Sequence, residues 1–283
     1  MLRDVNGDRR TINADRRAGN GDRRPSDERE RSPGSNNEER RGRDPAVAAA
    51  NERANTTLQT VQPRLVTLED LRHDRETTTL LTKANEQLAI MGFTEHGLRH
   101  ASLVAHIAQN ILLRLKYPER TAQLAAVAAY LHDIGNVITR VYHEQTGALI
   151  AMDILRRLGM DIEEIAVVAG AIGNHEENNG EPVSEVSAAL ILADKSDVHR
   201  SRVQNPNMAA FDIHDRVNYA AQRSFVNVDE AKRTITLELT IDTTISQVME
   251  YFEIFLSRMV MCRRAAQYLK CNFELVINKN RLL

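Results

Sequence analysis

The sequence predicts a mainly α-helical protein, a helical bundle followed by a small C-terminal β-β-α-β unit. Three observations carry that expectation. Aromatic residues make up only 4% of the 283 residues and tryptophan is absent, while Leu, Ala, Ile and Val are plentiful, a composition suited to packed helices. Between residues 65 and 205 apolar residues recur at three- and four-residue spacing, the period of helices that each bury one face. After Asn205-Pro206 the apolar period drops to two, the alternation of a half-buried strand.

Residues 1–55 hold 13 Arg, no Lys and 11 acidic residues. They carry a seven-residue repeat over Gly7–Asn13, Ala14–Asn20 and Gly21–Asp27 that has no apolar a and d positions. Such a stretch cannot bury enough apolar surface to offset its ordering entropy, so a solvated, disordered tail is expected over 1–60, with a weak helix between Ala46 and Gln62. Thr67 then caps a helix over Leu68–Met91 that stops at Gly92, and Thr94 caps a second running to Leu115. Pro118 opens a third, whose run Leu124–Leu131 is almost unbroken apolar and so belongs at the centre of the bundle. Further helices are expected over His143–Leu158, Ile162–Asn174 and Ser184–His199, separated by Gly159 and the polar loop Asn178–Pro182. Strands follow over Ser224–Val228 and Arg233–Ile241, joined by a turn at Asp229–Lys232; then come a helix over Thr244–Leu269 and a strand over Cys271–Asn278. The chain thus divides into a tail (1–60), a helical domain (65–205) and an α+β subdomain (206–283).

Several function classes recede on composition. The net charge of −2 gives no global basic field for nucleic acid. Cys262 and Cys271 build no disulfide framework and no C-x-x-C site. No signal-type apolar segment opens the chain, and no run approaches the ~18 apolar residues of a membrane span, so a cytoplasmic protein is expected.

The helical middle holds the chemistry, where histidines and acids stand in apolar surroundings. His96 and His100 are four apart, which on a helix places them on one face. His132-Asp133 ends the most apolar helix, in Tyr130-Leu-His-Asp-Ile-Gly-Asn136. A buried carboxylate without a partner there would be very costly, and metal coordination would resolve it. His143 opens the next helix in His-Glu-Gln-Thr-Gly147, and His175 closes another in Gly173-Asn-His-Glu-Glu177. Asp194 and Asp197 follow an apolar run about one turn apart. Imidazoles and carboxylates together suit Fe, Mn, Zn, Ni or Co better than Ca or Mg.

In order, His100, His132-Asp133, His143, His175 and Asp194 resemble the HD superfamily of metal-dependent phosphohydrolases, over about Thr94–Arg202. The resemblance implies an HD-type helical bundle with divalent metal ions as cofactors. It makes His100, His132, Asp133 and Asp194 the primary ligands, lets Asp133 bridge two ions, and adds His143 and His175 as in two-metal members. The run His143-x-x-x-Gly147, Asn174-His-Glu176 and Ala193-Asp-x-x-Asp197 is most similar to the HD-GYP cyclic-dinucleotide phosphodiesterases. However, Asn136 stands where a lysine usually follows, Asn174 replaces the first of a histidine pair, and no Gly-Tyr-Pro follows. Cyclic di-GMP is therefore not carried over as substrate.

What the resemblance implies is hydrolysis of a phosphate ester, a nucleotide or a cyclic or dinucleotide relative of one, at a two-metal site. Asp133, Lys195 and His96 are the candidate catalytic residues; Arg200, Arg202 and Asn136 are the candidate phosphate contacts, near Lys195 and His199. Two other classes share the ligand set: a di-iron oxygenase, and a non-catalytic nucleotide-sensing scaffold. The expected partners are a phosphorylated small molecule and a second copy of the chain in a homodimer, with no membrane and no nucleic acid.

Overall fold

The computed structural model describes residues 63–282. The tail and the weak helix expected before Pro63 lie outside the described residues. The described chain is mainly α-helical, with a small sheet at its C-terminal end.

Two helices, α1 (Leu68–His73) and α2 (Arg75–Ile90), stand where one was expected over Leu68–Met91. Asp74 breaks the helix because its carboxylate caps the second half. It accepts hydrogen bonds from the Thr77 amide at 2.9 Å and the Thr77 hydroxyl at 2.8 Å. Arg157 then holds both of its oxygens, at 3.0 and 2.8 Å. Helix α3 (Leu98–Arg114) begins later than Thr94 predicts. Glu95 is the residue that meets the free amides there, its Oε1 accepting from the Gly97 amide at 2.7 Å. His96 therefore precedes the helix, and the single helix face expected to carry both His96 and His100 does not exist.

Helix α4 (Glu119–Leu131) is buried on every side from Leu124 to Leu131, the central position its composition predicts. Around it pack α3, α6 (Ile162–Gly173) and α7 (Glu185–Asp194), and α5 (His143–Arg157) lies against α6. Helix α7 ends at Asp194, short of the expected His199, because Lys195 to Asp197 turn back on the helix; the Ser196 hydroxyl donates to the Ala193 carbonyl at 2.6 Å.

A further helix, α8 (Ile213–Ala220), was not expected from periodicity; Asp212 caps it by accepting from the Asp215 amide at 2.8 Å. Strands β1 (Ala221–Asp229) and β2 (Thr234–Ile241) form an antiparallel hairpin. Helix α9 (Val248–Tyr268) then carries the chain back, so that β3 (Asn272–Ile277) runs parallel to β2, and β4 (Asn280–Arg281) closes the order β1-β2-β3-β4. Ile235, Leu237, Leu239, Leu275 and Ile277 bury one face of this sheet. Helix α9 packs on β3 and also on α7, which brings its middle close to Asp194. No helix among the described residues is long and apolar enough to cross a membrane.

Candidate metal centre

The His-Asp-Ile-Gly segment leaves α4 as a tight turn, with a 3-10 helix over Ile134–Val137. Gly135 is required in it: a β-carbon there would overlap the carbonyl oxygen of His143 and crowd the Gly147 amide. The first turn of α5 therefore docks directly on this segment and brings His143 beside Asp133. His100 comes from the first turn of α3, His175 from just beyond α6, and Asp194 from the last turn of α7. The five elements converge on one buried cluster, in which His100, His132, Asp133, His143 and His175 are almost fully excluded from solvent.

The structure brings all six expected ligands together. Three overlapping groups have their ligand atoms within 4.8 Å of one another: His100, His132 and Asp133; His132, His175 and Asp194; and Asp133, His143 and His175. Each histidine turns its outer nitrogen to an oxygen acceptor. His132 Nδ1 lies 2.7 Å from the Ala129 carbonyl and His175 Nδ1 2.6 Å from that of Ile172. His143 Nδ1 lies 3.1 Å from the Arg140 carbonyl, and His100 Nδ1 2.7 Å from the Asp197 carboxylate. Nδ1 of each ring is therefore the outward-facing donor, and Nε2 points inward.

Inside the cluster those Nε2 atoms face each other, those of His100 and His132 3.3 Å apart and those of His143 and His175 3.2 Å apart. Positive charge among them, the proton that His132 carries or a metal ion in its place, makes that arrangement favourable. Asp133 stands between the two pairs, Oδ2 lying 3.2 Å from His132 Nε2 and Oδ1 3.4 Å from His143 Nε2. Its buried Oδ2 has no hydrogen-bond partner among the described residues. Asp194 turns Oδ1 toward His100 and His132, at 3.4 and 3.5 Å. Four imidazole nitrogens and two carboxylates arranged in this way fit a borderline divalent cation.

The electrostatics agree. Burial works against a charged His132, but Asp133 and Asp194 outweigh it and hold the imidazole up to about 10. Burial likewise penalises the Asp133 carboxylate, yet the surrounding imidazoles, His132 first, keep it well below the usual carboxylate range. Asp194 is held low against burial chiefly by Lys195. Burial keeps His143 and His175 neutral, with nearby positive groups adding to the effect.

Beside the cluster a cavity of about 310 Å³ is lined by Phe93, His96, Arg140, Asn218, Phe255 and Arg258, among others. His96 takes part in none of the ligand groups; it forms cavity wall, its Nδ1 2.5 Å from the Thr94 carbonyl and its ring centroid 5.6 Å from that of His100. Burial, reinforced by Arg202, holds it well below the ordinary histidine value, so it presents a neutral ring.

Four of the expected contact residues are engaged within the protein or at its surface. Lys195 is buried with Nζ 2.8 Å from both Asp194 Oδ2 and Glu177 Oε2. Burial would lower its pKa, but those carboxylates raise it, so it stays charged beside Asp194. Asn136 donates to the Asp133 carbonyl and carboxylate, both at 2.9 Å, and so fixes Asp133. Arg202 spends its donors on the Glu95 carbonyl at 3.0 and 2.8 Å and the Asp197 carbonyl at 2.9 Å. Arg200 is exposed and stacks over Tyr219, 5.4 Å from its centroid.

Sequence reasoning missed Arg140, Glu176, Glu177 and Arg258. Arg140 left no signal. The two glutamates follow His175 directly, and Arg258 is a charge set among Phe255, Leu256 and Met259 on an apolar helix, a position that invites a buried partner.

Residues 97–199 match the family model of the HD domain. An uncharacterized protein of Methanocaldococcus jannaschii is 27% identical over 214 residues, which cover 66% of this chain and 81% of that protein. Among solved structures, the crystal structure of a predicted HD superfamily hydrolase from an uncultured Thermotogales bacterium shares 29% identity. The match covers 51% of this chain and 74% of that one, with a TM-score of 0.37.

Proposed function

The chain is a protein of the HD superfamily, with its HD domain at residues 97–199, and from that premise we propose that it is a metal-dependent hydrolase of phosphate esters. The observation that supports this reading is the position of Asp133, one carboxylate oxygen toward each of two inward-facing histidine pairs. His100, His132 and Asp194 with Asp133 would hold one divalent ion, and His143 and His175 with Asp133 a second. Ions held there supply an acidified water near neutral pH and offset the negative charge of a phosphoryl group. Manganese, iron, nickel, cobalt and zinc all suit the donor set.

The protein's own residues do the positioning. Nδ1 of each ligating histidine donates to the oxygen behind it, which fixes the ring and leaves Nε2 as the donor atom. Asn136 holds Asp133 and Lys195 holds Asp194, each at one oxygen, so the other oxygen keeps its direction. His96 lines the cavity as a neutral imidazole whose Nε2 is able to accept a hydrogen bond from a substrate hydroxyl. In the same reading residues 65–205 are the metal-holding domain and 206–283 the subdomain that covers it.

The test is metal content by mass spectrometry of anaerobically purified protein, with Asp133→Ala alongside, followed by turnover of phosphate esters under argon. About two ions per chain, lost in the variant, with turnover that needs no oxygen, is the expected result. No specifically bound metal after reconstitution would leave a scaffold, and turnover only with oxygen would leave an oxygenase.

A further inference from the structure

Two guanidiniums reach the cavity from different elements. Arg140 comes from the loop before α5 and Arg258 from the middle of α9. Consecutive carboxylates just after His175 face them: Glu176 Oε2 lies 3.8 Å from Arg140 Nη2, a charge contact without a hydrogen bond, and Glu177 Oε1 accepts from Arg258 Nε at 3.0 Å. Each guanidinium also lies over a phenylalanine ring, Arg140 5.6 Å from the Phe93 centroid and Arg258 4.6 Å from that of Phe255.

These tethers orient the two forks without consuming them. Among the described residues no hydrogen bond uses Nη1 or Nη2 of Arg258. Nη1 of Arg140 makes only long contacts, 3.3 Å to His143 Nε2 and 3.4 Å to Asn136 Oδ1. The first of these places Arg140 at the edge of the metal centre itself. A planar guanidinium fixed at one edge, with terminal N–H groups turned to a cavity, is suited to the oxygens of a phosphate.

We propose that Arg140 and Arg258 clamp the phosphate of the substrate, and that the substrate class is a small phosphomonoester and not a phosphodiester. The proposal rests on the phosphate-ester reading above. A monoester carries three peripheral oxygens and two negative charges to meet two cationic forks; a diester offers two oxygens and one charge. The cavity points the same way. Its volume of about 310 Å³ lies at the small end of the ~300–1,000 Å³ of ligand pockets, a size that matches a phosphate and one small organic group. Asn218 and His214 of α8 line the same cavity and offer polar contacts to that group. Because Arg258 and Phe255 belong to α9, the C-terminal region completes the substrate site.

The experiment titrates inorganic phosphate and dimethyl phosphate by calorimetry into the full-length, metal-reconstituted protein and its Arg258→Gln, Arg258→Lys and Arg140→Gln forms. Metal content and thermal midpoint are measured on every sample. The wild type is expected to bind phosphate at least about tenfold more tightly than dimethyl phosphate. Arg258→Gln and Arg140→Gln should each lose about tenfold or more in phosphate affinity at unchanged metal content, and Arg258→Lys should recover part of it as a point charge without a fork. Phosphate affinity in folded Arg258→Gln and Arg140→Gln equal to that of the wild type overturns the clamp, as does equal binding of the two probes by the wild type. If Arg258→Gln does not fold, Arg258→Lys and Arg140→Gln carry the comparison. Failure of the wild type to take up metal counts against the metal-centre reading alone; the clamp is then decided by phosphate binding to the metal-free forms, where the same loss in the variants is required.

Discussion

The backbone of Gly135 lies directly against the carbonyl of His143, leaving no room for a side chain between them. That contact joins the turn carrying Asp133 to the first turn of α5, and the two halves of the candidate metal centre meet across it. A methyl group must push α5 away. Gly135→Ala is expected to cost about 3 kcal/mol of stability, as overpacking of a rigid backbone contact does. It should also separate His143 from Asp133 and lower metal occupancy. Urea unfolding and metal analysis on one preparation check both; wild-type occupancy in the variant would show that α5 does not depend on this contact.

Asp197 holds His100 from behind at 2.7 Å, and is itself held by Arg99 at 3.0 Å. Asp197→Asn keeps the shape but weakens the grip on Nδ1–H, and metal affinity is expected to fall roughly 10- to 100-fold, the usual effect of losing such a partner. Competition with a chromophoric chelator measures it. An unchanged affinity would mean that packing alone orients His100.

Metal uptake should expel a proton. In the metal-free protein His132 is held up to about 10, so it is protonated at neutral pH and an incoming cation must displace that proton. Affinity therefore rises with pH across the neutral range, and calorimetry in buffers of different ionisation enthalpy should detect about one proton released per chain. The sign for stability follows from the same shift. A raised histidine pKa stabilises the metal-free fold fully below about 6.5, the ordinary histidine value, and that contribution is lost as pH rises toward 10. Uptake heats that do not depend on the buffer would contradict this.

Asp74 ties α2 to α5 through Arg157, which with the cap on Thr77 lowers its pKa to about 2 against a modest opposing effect of burial. A depressed carboxylate contributes stability above its unfolded pKa near 3.8, and loses that contribution as pH falls through about 2. Arg157 is substantially exposed, so solvent screening limits the pair. Asp74→Asn is expected to cost about 1 kcal/mol at pH 7, and less as the wild type is titrated from pH 4 toward 2. Denaturation curves at pH 7, 4 and 2.5 would show the gap closing; a constant gap would assign it to the amide substitution itself.

Much of the helical framework was legible because its causes are local. The apolar run of α4 has no polar face to show solvent, so it has to lie at the centre. The thirteen residues from Asp229 to Ile241 read clearly as turn and strand because the side-chain period after the turn is two. Helix ends were less legible where distant residues decide them. Nothing near Asp74 reveals that Arg157 will bond it from α5, and α8 is too short for its periodicity to stand out.

What the sequence by itself determined is the architecture and the identity of the six clustered histidines and acids. An ionisable side chain at the end of a strongly apolar helix must be buried, and burial without a partner is too costly to persist. What only the tertiary structure decided is which cations face which anions. Lys195 became a brace for Asp194, Asn136 a brace for Asp133, and Arg202 a staple for backbone carbonyls, while Arg140 and Arg258 came to the cavity from positions 118 residues apart. Charge–charge and hydrogen-bond energies depend on separations of a few ångströms, and those separations exist only once the helices have packed.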